Sequence, residues 1–154
     1  MMDPAEIEAA YGPFVAALNA GGFAVPEQGW SAELIGAHVA ANNDLIAALA
    51  EAVARGETPH YDNEVAVDDH ELGEFVTRFG GLTGVAREVR RSATRLADAR
   101  RALDDESASR QVRAVIHDNG ELVLDGDVAI EAFIEGNATF HLQRHFDQLR
   151  ELPF

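Results

Sequence analysis

Near the end of the chain, Asn137-Ala-Thr-Phe-His141-Leu-Gln-Arg-His145 sets two histidines at i and i+4. On a helix those positions lie one above the other on the same face, with β-carbons about 5–6 Å apart. Two imidazoles so placed can converge on one metal ion, because a zinc–nitrogen bond is about 2.0–2.1 Å long. The same spacing also occurs on solvated faces with no ligand. A metal reading therefore needs a third ligand and a reason for the pair to face inward.

The helices that would carry such a site can be read from phase. One helix is expected over 31–55, with Ser31 as its N-cap and Glu33 in its first turn. Its apolar stripe is Ile35, Leu45, Ile46, Leu49 and Val53, and at about 100° per residue His38 and Asn42 fall inside that stripe. A polar group there costs stability unless it is bonded. A last helix, expected over 127–150, aligns Ile130, Ile134, Asn137, His141 and His145 on one face. Phe133 and Phe140 form one shoulder, Leu142 and Leu149 the other. If the two helices are neighbours, His38, His141 and His145 meet in the core, as in metal sites built between facing helices. Three neutral imidazoles leave coordination positions open for water or a substrate atom. A bound ion there could deprotonate a coordinating thiol or polarise a carbonyl. Asn42 and Asn137 read as groups that support the ligands or bond a bound molecule, not as ligands. The rival reading is a core without metal, its histidines bonded internally.

The remaining elements follow in chain order. Asp3-Pro4-x-Glu6 opens a first helix, interrupted at Gly12-Pro13 and ended by Gly21-Gly22. Trp30 reads as a hydrophobic lid at the entry of the second helix. Residues 56–68 read as a long loop that could cover a site. His60 and Tyr61 lie in it, and His60 is the loop group best placed to reach the site. A third helical segment carries Leu72, Phe75, Val76 and Phe79 and breaks at Gly80-Gly81. A long arm then follows with Val85, Val89, Leu96 and Leu103 on one face and arginines on the other, read as a solvated face with i,i+4 ion pairs. Alternation over 111–124 around Asn119-Gly120 predicts a hairpin lying on the helices. His60, His70 and His117 read as solvated.

Composition narrows the partners. The chain has 154 residues, 47% of them hydrophobic, which suits one globular domain over 1–154. It has no cysteine, so any thiol must arrive with a substrate. Its 27 acidic residues against 12 arginines give a net charge of −15, a field that repels phosphate backbones and argues against nucleic acid as a partner. No basic segment with an apolar run opens the chain, and no apolar run spans a bilayer. The expected location is the cytoplasm, with no membrane partner.

Trp30-Ser31 followed by His38, with His141-x-x-x-His145 near the end, resembles the DinB/YfiT-like superfamily. Tyr61-Asp62-Asn63-Glu64 and Asn119-Gly120-Glu121-Leu122-Val123-Leu124-Asp125 are more similar to its mycothiol-dependent maleylpyruvate isomerase branch. The resemblance implies an all-α fold, a four-helix bundle with a small β-hairpin before the last helix. It implies a divalent metal, zinc or nickel, held by His38, His141 and His145. It also implies a low-molecular-weight thiol such as mycothiol or bacillithiol as cosubstrate, S-transfer or isomerisation of a small electrophile, and a homodimer. Two alternatives stand beside it: a metal-dependent hydrolase, in which the same open site activates water, and a non-enzymatic metal-binding stress-response protein.

Overall fold

A computed structural model describes all 154 residues. Helix α1 (Pro4–Ala10) is closed at its start by a capping box between Asp3 and Glu6, and α2 (Gly12–Ala20) follows after a break at Tyr11. Helix α3 (Ala32–Ala54) starts where Ser31 Oγ accepts from the Leu34 N–H. Then come β1 (His60–Asp62), α4 (Glu64–Val67), α5 (Asp69–Phe79), α6 (Leu82–Arg101) and α7 (Asp105–Ala108). Strands β2 (Gln111–Asp118) and β3 (Glu121–Ala129) lead directly into α8 (Ile130–Gly136). A π turn (Asn137–His141) joins α8 to α9 (Leu142–Arg150) without a break in the helix.

The long helices are tied in a definite sense. Gly36 lies against Val85 and, two turns on, Asn43 bonds Ser92, so α3 and α6 run in the same direction. A Cβ at Gly36 would stand 2.6 Å from Val85 Cγ1, so glycine sets how closely these helices approach. The last helix runs the opposite way along α3, since Asn42 meets Asn137 while His38 meets His141. The core between them holds Phe14, Leu18, Ile35, Ile46, Val89, Leu96, Ile130, Ile134 and Leu149. The arginine face of α6 is tied across to α3 as well as along itself. Arg91 reaches Asp44 at 2.6 Å, and Arg95 reaches Asp44 at 3.1 Å and Glu51 at 2.9 Å.

The fold is helix-rich mixed α/β, not the all-α four-helix bundle that the sequence suggested. Three strands form one sheet in the order β1-β2-β3, with β1 parallel to β2 and β3 antiparallel to it. The parallel pair puts Tyr61 opposite Ala114, and Tyr61 is buried with its ring edge-on to Phe133 at 4.6 Å between centroids. The expected 56–68 loop is thus a strand and a short helix. The hairpin extends to Ala129, which delays the last helix to Ile130. Its turn is Asn119-Gly120, both at positive φ, as a two-residue hairpin turn requires. No helix of the chain is long and apolar enough to cross a membrane.

Candidate metal centre

His38, His141 and His145 come together at one end of the α3–last-helix contact. Their ligand-capable ring nitrogens all lie within 4.8 Å of one another. His38 Nε2 and His141 Nε2 are 2.9 Å apart. Ring centroids are 4.5 Å apart for both His38–His145 and His141–His145. An ion bonded at about 2.1 Å to each donor would hold its donors no more than about 4 Å apart. The cluster therefore fits an ion after a small inward movement of its widest pair.

Second hydrogen bonds orient two of the rings. His38 Nδ1–H donates to the Ala66 carbonyl at 2.5 Å, and His145 Nδ1–H donates to Gln148 Oε1 at 2.9 Å. Each bond places the proton on Nδ1 and leaves Nε2 as a bare lone pair, the usual arrangement behind metal-ligating histidines. With His38 Nε2 bare, His141 Nε2 either donates to it or turns its own lone pair to a shared cation. Burial keeps all three rings neutral. It pushes His38 down to about 4, with the neighbouring His145 adding to the shift. It pushes His141 well below the usual imidazole range, helped by His145, His38 and Arg144. His145 is also lowered, chiefly by burial and against its bond to Gln148. Neutral imidazoles are the ligand-competent form.

A layer of buried amides and hydroxyls lies one turn beneath the histidines. Asn42 Nδ2 donates to Asn137 Oδ1 at 2.7 Å. Asn137 Nδ2 donates to Tyr11 Oη at 3.0 Å and to Asn43 Oδ1 at 2.8 Å. The Tyr11 hydroxyl donates to Asn43 Oδ1 at 2.9 Å, the Tyr61 hydroxyl donates to Asn42 Oδ1, and Asn43 Nδ2 donates to Ser92 Oγ at 3.2 Å. Burial raises the pKa of both tyrosines, so they remain hydroxyl donors. Tyr61 thus bonds Asn42 and Asn42 bonds Asn137, in a layer that ties the α1–α2 junction, α3, β1, α6 and the last helix together.

The histidines open into a cleft of about 1430 Å³. Trp30 forms part of its wall, with its ring centroid 5.1 Å from that of His38 and 6.4 Å from that of His145. Its Nε1–H donates to Asp69 Oδ1 at 2.8 Å, which fixes the indole beside the site. The wall is rich in carboxylates, including Asp68, Asp69, Asp118, Asp147 and Glu151, and its one guanidinium, Arg144, is paired with Asp118 at 2.8 Å. His60 lies exposed on β1 and is not part of the wall.

Sequence reading singled out the three histidines and Trp30 beside them, and missed the groups that bond the rings from behind. Gln148 stands at i+3 from His145, so helical spacing alone would have named it. Ala66 had no signal, because its backbone carbonyl is the contact and any residue supplies one. His117, read as solvated, keeps 30% side-chain exposure and lines the cleft, with its Nδ1 closed to solvent. Compared with protein-family models, with curated proteins and with solved structures, the chain matches none.

Proposed function

We propose that this chain is a divalent-metal protein of the DinB/YfiT-like kind that transfers a low-molecular-weight thiol to a small electrophile, or isomerises it. The observation that carries the reading is the set of neutral rings, two with bare Nε2 atoms fixed from behind by Ala66 and Gln148, clustered at the floor of a cleft. Zinc or nickel suits three imidazoles, and when bound the ion would hold a cosubstrate thiol in its deprotonated, nucleophilic form. His38, His141 and His145 would hold the ion, with coordination positions left facing the cleft. Trp30 supplies an apolar wall against which an electrophile packs. The cleft exceeds the roughly 300–1,000 Å³ of a pocket for one small molecule, which suits two substrates side by side. The sequence resemblance supports mycothiol or bacillithiol as the thiol and a homodimer in the cytoplasm as the working form.

Elemental analysis of protein purified without chelator, beside His141→Ala, tests the metal. The expected result is about one zinc or nickel per chain in the wild type and a large loss in the variant. Equal content in both refutes the ligand assignment. Conversion of a bimane electrophile that requires added thiol tests the reaction. Ester hydrolysis without thiol would identify water activation instead.

A further inference from the structure

His117 combines a tightly fixed backbone with an uncommitted ring. It stands at the one irregularity in the β2–β3 register, between Ile116 and His117. The extra, unpaired residue is Val123 on β3, facing the Ile116–His117 step, and bulges gather beside active sites. The bulge is clamped from the other side. β1 ends at Asp62, and the side chain of Asn63 continues the pairing in its place. Asn63 Oδ1 accepts from the His117 N–H at 2.7 Å, and its Nδ2 donates to the His117 carbonyl at 2.9 Å. Asn63 is buried, so its amide serves this clamp and not the solvent.

The ring has no such partner. Its Nδ1 is closed to solvent and unbonded, and the nearest carboxylate oxygen, on Asp62, is 3.8 Å away. A buried nitrogen without a partner gives up its hydration with no compensating bond. Native structures hold few such groups, and each calls for a cause. The His117 ring lines the same cleft as His38, His141 and His145. Among the other polar groups of the cleft, Glu151 is exposed to solvent and Asp147 accepts from Gln143. Asp118 is held by Arg144, Asp69 accepts from Trp30, and Asp68 caps α5 by accepting from the Glu71 N–H. His70 lies exposed in the first turn of α5. Asp62 on β1 faces the His117 ring, and the next residue in the chain, Asp118, is paired with Arg144 of α9.

We infer that His117 is the proton-transfer group of the three-histidine centre, taking the proton that a thiol sheds on binding there and returning it to the product. The inference rests on the metal-centre reading above. The thiol S–H bond breaks, its proton passes to a ring nitrogen of neutral His117, and sulfur keeps the electron pair. Sulfur then forms a bond to one carbon of an activated alkene, and the alkene's π pair moves to the neighbouring carbon. That carbon takes the proton back from the imidazolium, which leaves His117 neutral again. Imidazole is the side chain most often used for such transfers. The three clustered histidines are not free to do it once their ring nitrogens are committed.

The test follows protons, not turnover. Cobalt(II)-loaded protein is mixed with 2-mercaptoethanol near neutral pH in weakly buffered indicator solution. Sulfur-to-cobalt absorption counts the thiol bound, and the indicator counts protons released. Wild type should release well under one proton per thiol, and His117→Gln about one, since the ring no longer retains it. His70→Gln should match wild type. Equal release from wild type and His117→Gln, or an increase that follows His70→Gln, overturns the inference. No cobalt uptake by wild type overturns the metal reading and this one with it. Cobalt uptake and a sulfur band with an unaltered proton count overturn this one alone. The Asn63 clamp grips the backbone of residue 117, so the bulge survives the substitution. Should the variant still misfold, the ring ¹⁵N shifts of His117 in wild type decide. Movement to imidazolium values on thiol addition supports the role, and constancy overturns it.

Discussion

Replacing Asn137 by alanine removes three hydrogen bonds at once, yet it leaves only one buried group without a partner. Asn43 Oδ1 keeps the Tyr11 hydroxyl at 2.9 Å, Asn43 Nδ2 keeps Ser92, and Asn42 Oδ1 keeps Tyr61. Asn42 Nδ2 alone loses its acceptor, now at 2.7 Å. An orphaned buried donor costs about 1–3 kcal/mol, and the vacated space adds roughly 1 kcal/mol. The expected loss is therefore about 2–4 kcal/mol, a large part of the ~5–15 kcal/mol that holds a domain folded. For a chain of this size that lowers Tm by on the order of 10 °C. Urea unfolding should show a lower midpoint at unchanged slope. The pair Asn42→Ala and Asn137→Ala then isolates the cause. If the bond between the two amides carries the cost, the double variant loses about 1–3 kcal/mol less than the sum of the singles. Additivity within about 0.5 kcal/mol would refute the reasoning. Asn137→Ala keeps all three histidines, so one ion per chain should remain, held about tenfold more weakly because the helices are no longer pinned one turn below.

Two further outcomes are expected from the same residues. Burial holds His38 down to about 4, against about 6.5 in an unfolded chain. A depressed folded value means that its contribution is fully present above about pH 6.5 and is lost as pH falls toward about 4, by about 3 kcal/mol in metal-free protein. Urea midpoints measured across that window should decline, and less steeply in His38→Gln; a flat wild-type profile refutes the assignment. Trp30 is the only tryptophan and lies beside His38 and His145, so nickel(II) should quench most of its emission and chelator restore it. His141→Ala should not respond, and equal quenching in the variant counts against the site.

What was legible in the sequence was what local rules encode. Ser31 and a long stripe placed the second helix at 31–55, and it spans Ala32–Ala54. Phase counting turned His38 and His141 inward correctly because each lies within a few turns of its helix's anchoring apolar residues. The sheet was half legible. Asn119-Gly120 announced the hairpin, but β1 has three residues and its partners lie more than fifty positions away, so nothing local marks it. The parallel pairing it makes is what turns the fold from all-α into mixed α/β. Asn42 was read as a core polar group that must be bonded, and Asn42 and Asn137 alike as supports for the ligands or for a bound molecule; the structure bonds them to each other. Which partners they take depends on Tyr11 and Tyr61, which only the tertiary arrangement brings in. His117, beside the turn, was read as solvated and keeps 30% side-chain exposure, but the closing of its Nδ1 was not legible, because the Asn63 clamp joins two segments far apart in sequence.

The last helix shows why straight phase counting ran out. At about 100° per residue, a straight helix carries Leu149 about 100° away from Ile130. Yet Ile130 is 0% exposed and Leu149 1% exposed. Both can face the core only if the helix lags by about one residue between them, and a π turn supplies that lag. The turn spans Asn137–His141, and Thr139 Oγ1 donates to the Glu135 carbonyl at 2.8 Å where the ladder is loosened. Phe140, expected on an inward shoulder, swings to 85% exposure as a consequence. The turn starts at Asn137, the amide that anchors the polar layer, and ends at His141 of the cluster. Single π turns inside α-helices recur at functional sites. Here the geometry gives the reason: the lag lets one helix seat its apolar residues on both sides of the site while Asn137, His141 and His145 all stay turned toward α3.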